Sequence, residues 1–508
     1  MFQDASGTIE GNRAFLAKRV KILAPSRPFK VSVAIWLLVS LTLLLLPFRL
    51  LNYGYLPTDD ALRHAAKAIS GKPWQQILVM RPDITIDHNP GWHWILAALH
   101  HLAHWDARTL VAFSVVSMFL VFASAPLPWL KRPEAWLASL AIVMLVCPYY
   151  ADRVFLGRPL LITVGVSLAL LSLWTHPDEK EISRIKLAVT ASLIAIATCV
   201  HGTWYLLVLL PLAFFLARLW RKGLLLTLCW AIGSFAGALL TGEPLAFLKQ
   251  SILIPFLALG QHAPPTFYVT EFQPYSGSYP ALIPVVVVLV WRWLTRRPLQ
   301  CLLRDPVLWL AFLGCLLGFY VVRFWLDWGI PALALWLARQ IQEALEAHLE
   351  GKSYGRLPIG CLAALVLLLG PTSDHNARWS RYGHFECLDA NQPDQAAWLP
   401  APGGILYNLD LSVFYQTFFK NPHGEWRYVL GFEPTFMRPE DLAVHLELCR
   451  TLNAIHSCAP WVKRMTPADR LVLLAGPRTR PAIPELEWHY TVSNTWVGRL
   501  PVVSRSQP

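Results

Sequence analysis

The chain has 508 residues, of which 55% are hydrophobic and only 15% charged. With a mean hydropathy of +0.42, that balance excludes an ordinary soluble core and reads as a polytopic α-helical membrane protein. A net charge of +12 would suit nucleic acid if it were gathered on one domain, but the Lys and Arg residues are spread over several short loops, which counts against nucleic acid as a partner.

Eleven apolar stretches in chain order are candidates for spanning helices: 31–49, 109–130, 135–150, 159–175, 187–201, 204–219, 223–241, 281–294, 306–322, 330–346 and 357–371. Several are short for the roughly 20 residues a span needs, and the fifth and sixth can also be read as one bent block. Arg13, Lys18, Arg19, Lys21, Arg27 and Lys30 precede the first run and keep the N-terminus in the cytoplasm. That run ends in "PFRLLNYGY" with no small-residue cleavage pattern, so it is expected to be retained. Counting all eleven puts Lys131 with Arg132, the 177–186 segment, Arg218 with Arg221 and Lys222, Arg292 with Arg296 and Arg297, and Lys352 with Arg356 on one inner side.

The outer side then receives a long first loop (50–108), the short loop 151–158, the Pro-rich aromatic loop 242–280, the turn at Arg323 to Pro331 and everything after 371. This gives a transmembrane module over 1–371 and an extracytoplasmic α/β domain over 372–508. In the latter, "NLDLSVFYQTFFKNPHGEWRYVLGFEP" has strand-like runs and "RPEDLAVHLELCR" has helical spacing. The inner loops carry no Gly-rich phosphate loop, so no cytoplasmic nucleotide engine is expected. Cys147, Cys199, Cys229, Cys315 and Cys361 read as small buried hydrophobes, and Cys301 falls in an inner loop. Cys387, Cys449 and Cys458 would meet an oxidising compartment; a Cys449–Cys458 disulfide is one pairing, and the sequence does not choose it.

The residues that carry chemistry converge on the outer side. In "YLPTDDALRHA", Asp59 and Asp60 are adjacent carboxylates whose repulsion is costly unless a cation or a proton transfer uses them; they equally read as the cap and first turn of an amphipathic helix. "DITIDHNPGWHWILAALHHLAHW" adds Asp83, Asp87, His88, His93, His100, His101 and His104. These histidines suit a metal or a polar helix face, at spacings that match no zinc signature. "ADRVFLGRPLL" places Asp152, Arg153 and Arg158 against the inside preference for positive charge, where arginine can snorkel or fork onto a phosphate. His201 and Gly202 stand at a hairpin tip, and Arg323 and Asp327 lie four residues apart, as an ion pair would. "HAPPTFYVTEFQPYSGSYP" carries Tyr268, Phe272, Tyr275 and Tyr279, fit for stacking on sugars or isoprenoid chains or for an interfacial aromatic belt, and Glu271 is a second-choice acid.

"TDDALRHAAKAISGKPW" followed by "HNPGWHWIL" resembles the GT-C glycosyltransferases that use polyprenyl-phosphate sugars, in the branch of protein O-mannosyltransferases and lipid A aminoarabinose transferases. "VHGTWYLLVLLP" resembles the same branch with His201 where Lys is usual, and "RFWLDWGIPALAL" resembles its late basic segment; Asp-Asp replaces the more common Asp-Glu. The likeness covers roughly residues 31–340. It implies an integral membrane glycosyltransferase moving sugar from a polyprenyl-phosphate donor to a glycan, lipid or protein acceptor at the outer face of a bacterial inner membrane. In that reading Asp59 or Asp60 is the base, and Arg153, Arg158, His201 and Arg323 bind the donor phosphate. His88, Tyr268, Glu271, Tyr275 and Asp327 contact substrate, and a divalent cation (Mg or Mn) uses Asp60 and Asp152. Two other classes stay open. A transporter or flippase for a lipid-linked substrate would place charge deep within the spans, whereas here it concentrates at their ends. A non-catalytic envelope-assembly scaffold would use Asp59 and Asp60 only to cap a helix.

Overall fold

The computed structural model describes residues 31–176, 182–260, 270–274, 279–349, 355–382, 388–451, 455–491 and 494–501. In chain order the helices that matter are α1 (Val31–Asn52), α2 (Asp60–Ser70), α3 (Pro90–Ala103), α4 (Ala107–Ser124), α5 (Pro133–Val146) and α6 (Pro148–Val154). They continue as α7 (Leu160–Thr175), α8 (Arg184–Val200), α9 (Leu209–Leu216), α10 (Trp220–Leu239) and α11 (Pro244–Gly260). The last of the helical module are α12 (Ile283–Leu294), α13 (Pro306–Gly318), α14 (Ile330–Leu349) and α15 (Arg356–Leu369).

Each apolar stretch foreseen as a span is helical. The fifth and sixth separate at His201–Thr203, ahead of a 3-10 turn over Trp204–Val208. Among the described residues, Val31–Asn52, Ala107–Trp129 and Trp220–Leu239 are long and apolar enough to cross a membrane alone. α5 and α6 meet at 115° and form a fourth if they are one broken span; Pro148, with no N–H to continue α5, marks the break. α1 shows what the bundle asks of its surroundings. Its Ile35, Val39, Leu43, Leu46 and Leu50 are buried, while Leu37, Leu41 and Leu45 are about half exposed on another face. An apolar face of this kind suits lipid rather than water.

The sheet lies in the last hundred or so residues, with strands β1 (Ile405–Asn408), β2 (Arg427–Tyr428), β3 (Arg470–Leu474), β4 (Glu487–Tyr490) and β5 (Thr495–Arg499) in the order β2-β1-β3-β5-β4. β1 pairs parallel with β2 and β3, and β5 pairs antiparallel with β3 and β4. Helices α16 (Leu411–Lys420), α17 (Pro439–Arg450) and α18 (Ala459–Arg464) connect them. The strand-like reading of 411–420 is corrected: Asp410 caps the segment through the Ser412 N–H at 2.7 Å, and Val413, Phe414, Thr417 and Phe418 make one buried helical face. The Cys449–Cys458 disulfide does not form. Cys449 Sγ lies 3.7 Å from His445 Nε2 along its own helix and Cys458 is buried as a free thiol. Cys387 lies outside the described residues.

The first outer loop joins this domain. The Val79 N–H donates to Tyr428 O at 2.9 Å and the Arg81 N–H to Phe436 O at 3.0 Å. Ala66, Trp74, Ile77 and Leu78 share one apolar cluster with Leu406, Phe414 and Tyr428. The sheet domain is thereby fastened directly above α2.

Candidate active site

Asp59 does cap α2, accepting the Asp60 N–H at 2.5 Å. The cap is only part of its environment. Arg158 forks onto the Asp59 carboxylate through Nε at 2.8 Å and Nη2 at 2.7 Å. Asp60 meets Arg63 Nη2 at 3.1 Å and accepts from Tyr415 Oη of α16 at 3.1 Å. The Arg63 guanidinium lies 4.6 Å from the ring centre of Phe432, a cation–π contact that holds it beside Asp60. Arg158 reaches this point because the preceding Gly157, at φ +70°, lets the turn lie against α4; a Cβ there would come within 3.0 Å of Val115 N.

A second layer interlocks with the first. Arg153, near the end of α6, donates to Asp327 through Nε and through Nη2 at 2.7 Å, and to Glu271 Oε1 through Nη1 at 2.9 Å. Glu271 also accepts from Arg158 and lies 3.3 Å from Arg323 Nη2. Asp327 projects from a π-helical turn over Trp325–Gly329, and Arg323 Nε is 3.6 Å from it. Four carboxylates (Asp59, Asp60, Glu271, Asp327) thus alternate with four guanidinium groups (Arg63, Arg153, Arg158, Arg323). They are held unequally. Arg153 is 8% exposed and closed on two acids, whereas Arg323 is 25% exposed, with longer ion-pair contacts and its guanidinium 5.4 Å from the ring centre of Phe272.

A cavity of about 350 Å³ opens on this lattice, within the usual range for small-molecule sites. Asp60, Arg63 and His64 come from α2, His88 and Asn89 from the first loop, and Arg158, Arg323 and Asp327 from the lattice. His201, Gly202 and Tyr205 come from the hairpin between α8 and α9, and Phe432, Glu433 and Phe436 from the sheet domain. The hairpin tip sits tightly on the first loop: the Gly202 N–H donates to His88 O at 2.9 Å, and a Cβ on Gly202 would meet that same oxygen at 2.9 Å.

The electrostatics favour charged carboxylates and neutral imidazole. Burial alone would raise Asp60, but Arg63 and Arg158 hold it well below the usual carboxylate range. Glu271 is likewise lowered, its burial outweighed by Arg153, Arg158 and Arg323. Burial pushes His88 down to about 4, against the opposing charge of Asp87.

Of the residues singled out in the sequence, Asp60, His88, Arg158, His201, Gly202, Phe272, Arg323 and Asp327 line the cavity. Asp59, Arg153 and Glu271 stand in the lattice behind its wall. Asp152 does not join Asp60 at the wall: Arg378 takes it at 2.7 and 3.1 Å. Tyr268 and Tyr275 lie outside the described residues. The donor chemistry does not fit a divalent cation, because each acid here is already neutralised by arginine, and no group of three His, Cys, Asp or Glu among the described residues could hold a metal. Arg63, His64 and Tyr415 escaped the sequence reading. Arg63, one turn after Asp60, carried a spacing signal; Tyr415, 355 residues away, carried none.

The chain combines a helical module, three of whose described helices are long and apolar enough to cross a membrane, with a C-terminal domain built on a mixed five-stranded sheet. No family model and no curated protein matches the sequence. Among solved structures, ArnT from Cupriavidus metallidurans bound to undecaprenyl phosphate is similar with a TM-score of 0.55 at 15% identity, over 94% of this chain and 99% of that one. The same protein in the apo state gives 0.53 at 16% identity, over 92% and 98%. The Archaeoglobus fulgidus oligosaccharyltransferase tethered with an acceptor peptide gives 0.50 at 12% identity, over 86% of this chain and 69% of that one. At such identities the likeness establishes the fold.

Proposed function

We propose that the protein is an integral membrane glycosyltransferase that moves a sugar from a polyprenyl-phosphate donor to a glycan, lipid or protein acceptor at the outer face of the membrane. The observation that carries this reading is the cavity that Asp60 and Arg323 both line at the end of an apolar helical bundle. An amphiphilic donor needs that combination: lipid along the bundle, phosphate at guanidinium, sugar beside a carboxylate. The fold of an ArnT solved with undecaprenyl phosphate supports the same reading. In it, the chain crosses the membrane eleven times with its N-terminus in the cytoplasm, and the cavity and sheet domain face outward, following the alternation of basic loops.

The chemistry follows from what each group can do. The acceptor's hydroxyl or amine hydrogen-bonds to Asp60, whose orientation Arg63 and Tyr415 fix, and attacks the anomeric carbon from the face opposite the phosphate. As it attacks, its proton passes to a base at the cavity wall, where Asp60 is the nearest carboxylate. Direct displacement of this kind inverts the anomeric centre. The departing lipid phosphate gathers charge that Arg323 and Arg158 stabilise, aided by His201 at the cavity edge. Asp59 fixes Arg158, and Arg153 with Glu271 and Asp327 fixes the lattice. His88 and Asp327 border the sugar. No step is routed through a divalent cation, because the arginine-paired acids do not present a set of ligands for one.

The test is transfer of labelled sugar by the purified protein from a panel of polyprenyl-phosphate donors, with wild type beside Asp60→Asn. Turnover by wild type, lowered about 100-fold or more in Asp60→Asn while donor affinity persists, is expected. No turnover with any donor would overturn the reading.

A further inference from the structure

One chain of titratable groups ends at the cavity outside the carboxylate–guanidinium lattice. His64, one turn after Asp60 on α2, is 1% exposed and borders the cavity. Its Nδ1 lies 2.8 Å from His93 Nε2 on α3, and His93 Nδ1 lies 2.5 Å from Asp87 Oδ2. Asp87 is anchored by the Asn89 N–H at 3.0 Å and its side chain is 25% exposed, the most accessible of the three. The remaining nitrogen of the chain, His64 Nε2, is buried and has no hydrogen-bond partner.

The acid end sets where the protons sit. A carboxylate only accepts, so His93 turns an Nδ1–H toward Asp87; when His93 carries that proton alone, its Nε2 is an acceptor and takes the Nδ1–H of His64. This leaves a lone pair on His64 Nε2, the nitrogen without a protein partner. Burial pushes His64 well below the usual imidazole range, so the ring is neutral. Asp60 is poorly suited to keep a proton, because Arg63 and Tyr415 already engage its carboxylate. It can orient a nucleophile better than deprotonate one.

We propose that His64, backed by His93 and Asp87, is the base that takes the acceptor's proton. The inference rests on the sugar-transfer reading and assigns the proton's route within it. The acceptor O–H or N–H bond breaks as its oxygen or nitrogen bonds to the anomeric carbon. The bond from that carbon to the phosphate oxygen breaks, and its electron pair leaves with the lipid phosphate. The proton joins His64 Nε2, the Nδ1 proton of His64 passes to His93 Nε2, and the Nδ1 proton of His93 passes to the Asp87 carboxylate and on to water. His93 and Asp87 are positioning residues that act through His64.

The experiment measures kcat and KM for wild type, His64→Ala, His93→Gln and Asp87→Asn with whichever polyprenyl-phosphate sugar the wild type turns over, alongside affinity for undecaprenyl phosphate. The relay predicts kcat down roughly 100-fold in His64→Ala and His93→Gln, with KM and lipid affinity kept, and partial recovery of His64→Ala by added imidazole. Wild-type kcat in His93→Gln, or a fall in kcat matched by lost lipid affinity, overturns the relay while leaving sugar transfer standing. If the wild type is inert with every donor, the functional reading is what fails. The ¹⁵N spectrum of histidine-labelled protein then judges the proton placement by itself: an unprotonated Nε2 on His64 upholds it, and a protonated one overturns it.

Discussion

Buried charge gathers at both ends of the helical bundle, and the two gatherings are built differently. Glu134 begins α5, whereas Arg153 follows its other end across the bend; Asp305 caps the start of α13, whereas Arg323 follows its end. At the end away from the cavity Glu134 and Arg292 are closed on their partners, while Asp305 meets Arg339 at 3.7 Å. Glu134 is fully buried and takes Arg356 Nε at 2.6 Å and Nη2 at 3.1 Å. Arg292 is held by Gln340 at 2.7 Å and by Glu343 at 2.8 Å, which Arg297 also meets. At the cavity end the lattice is as dense, yet the ion-pair contacts of Arg323 are 3.3 and 3.6 Å, its guanidinium lies over Phe272, and it lines the cavity. Closed pairs hold helices in register; a guanidinium left loosely held beside a cavity is available to an anion.

The comparison breaks if charge removal has the same consequences at both ends. Arg158→Gln has the largest expected effect, because Asp59 and Glu271 lose their shared partner together. Stability should fall by about 3–5 kcal/mol and turnover per folded molecule should fall with it, read by thermal unfolding in detergent and by transfer assay. Glu134→Ala strands Arg356 at the other end and should cost a similar 3–5 kcal/mol or so, but turnover per folded molecule should be unchanged. Tyr415→Phe removes one hydrogen bond to Asp60. About 1 kcal/mol is at stake there, so kcat should drop roughly fivefold with little change in melting.

The smallest expected effect is one of pH. His88, held at about 4 when folded, has an ordinary imidazole value of 6.5 when unfolded. Between those values the unfolded chain binds more protons, so stability declines as pH falls from about 6.5 toward about 4 and levels off below. Asp60, lowered from 3.8, keeps its contribution throughout that window and loses it only in stronger acid. Thermal midpoints at neutral pH and at about pH 5 should therefore differ less in His88→Gln than in wild type.

Much of the fold was legible because hydropathy alone marks where a helix must satisfy its own backbone in lipid; every apolar stretch from 31–49 to 357–371 is helical. The segment 411–420 was misread because its aromatic and β-branched residues favour strands, and the Asp410 cap was overlooked. In the site, the pair Asp59 and Asp60 and the misplaced arginines Arg153 and Arg158 stood out because each is costly where it lies. The contacts of Tyr415 with Asp60 and of His64 with His93 did not, since they depend on how α16 and α3 pack on α2, which no local pattern encodes. Asp152 looked equivalent to its neighbours, and only the path of the chain after α15 gives it to Arg378.

The most direct measurement is equilibrium binding of undecaprenyl phosphate to wild type, Arg323→Gln and Arg297→Gln. Loss of a charge-assisted contact of about 1.5–3 kcal/mol predicts affinity weakened roughly 10- to 100-fold in Arg323→Gln and unchanged in Arg297→Gln. Equal weakening in both variants, or none in Arg323→Gln, would contradict the assignment of the lipid phosphate to the cavity end.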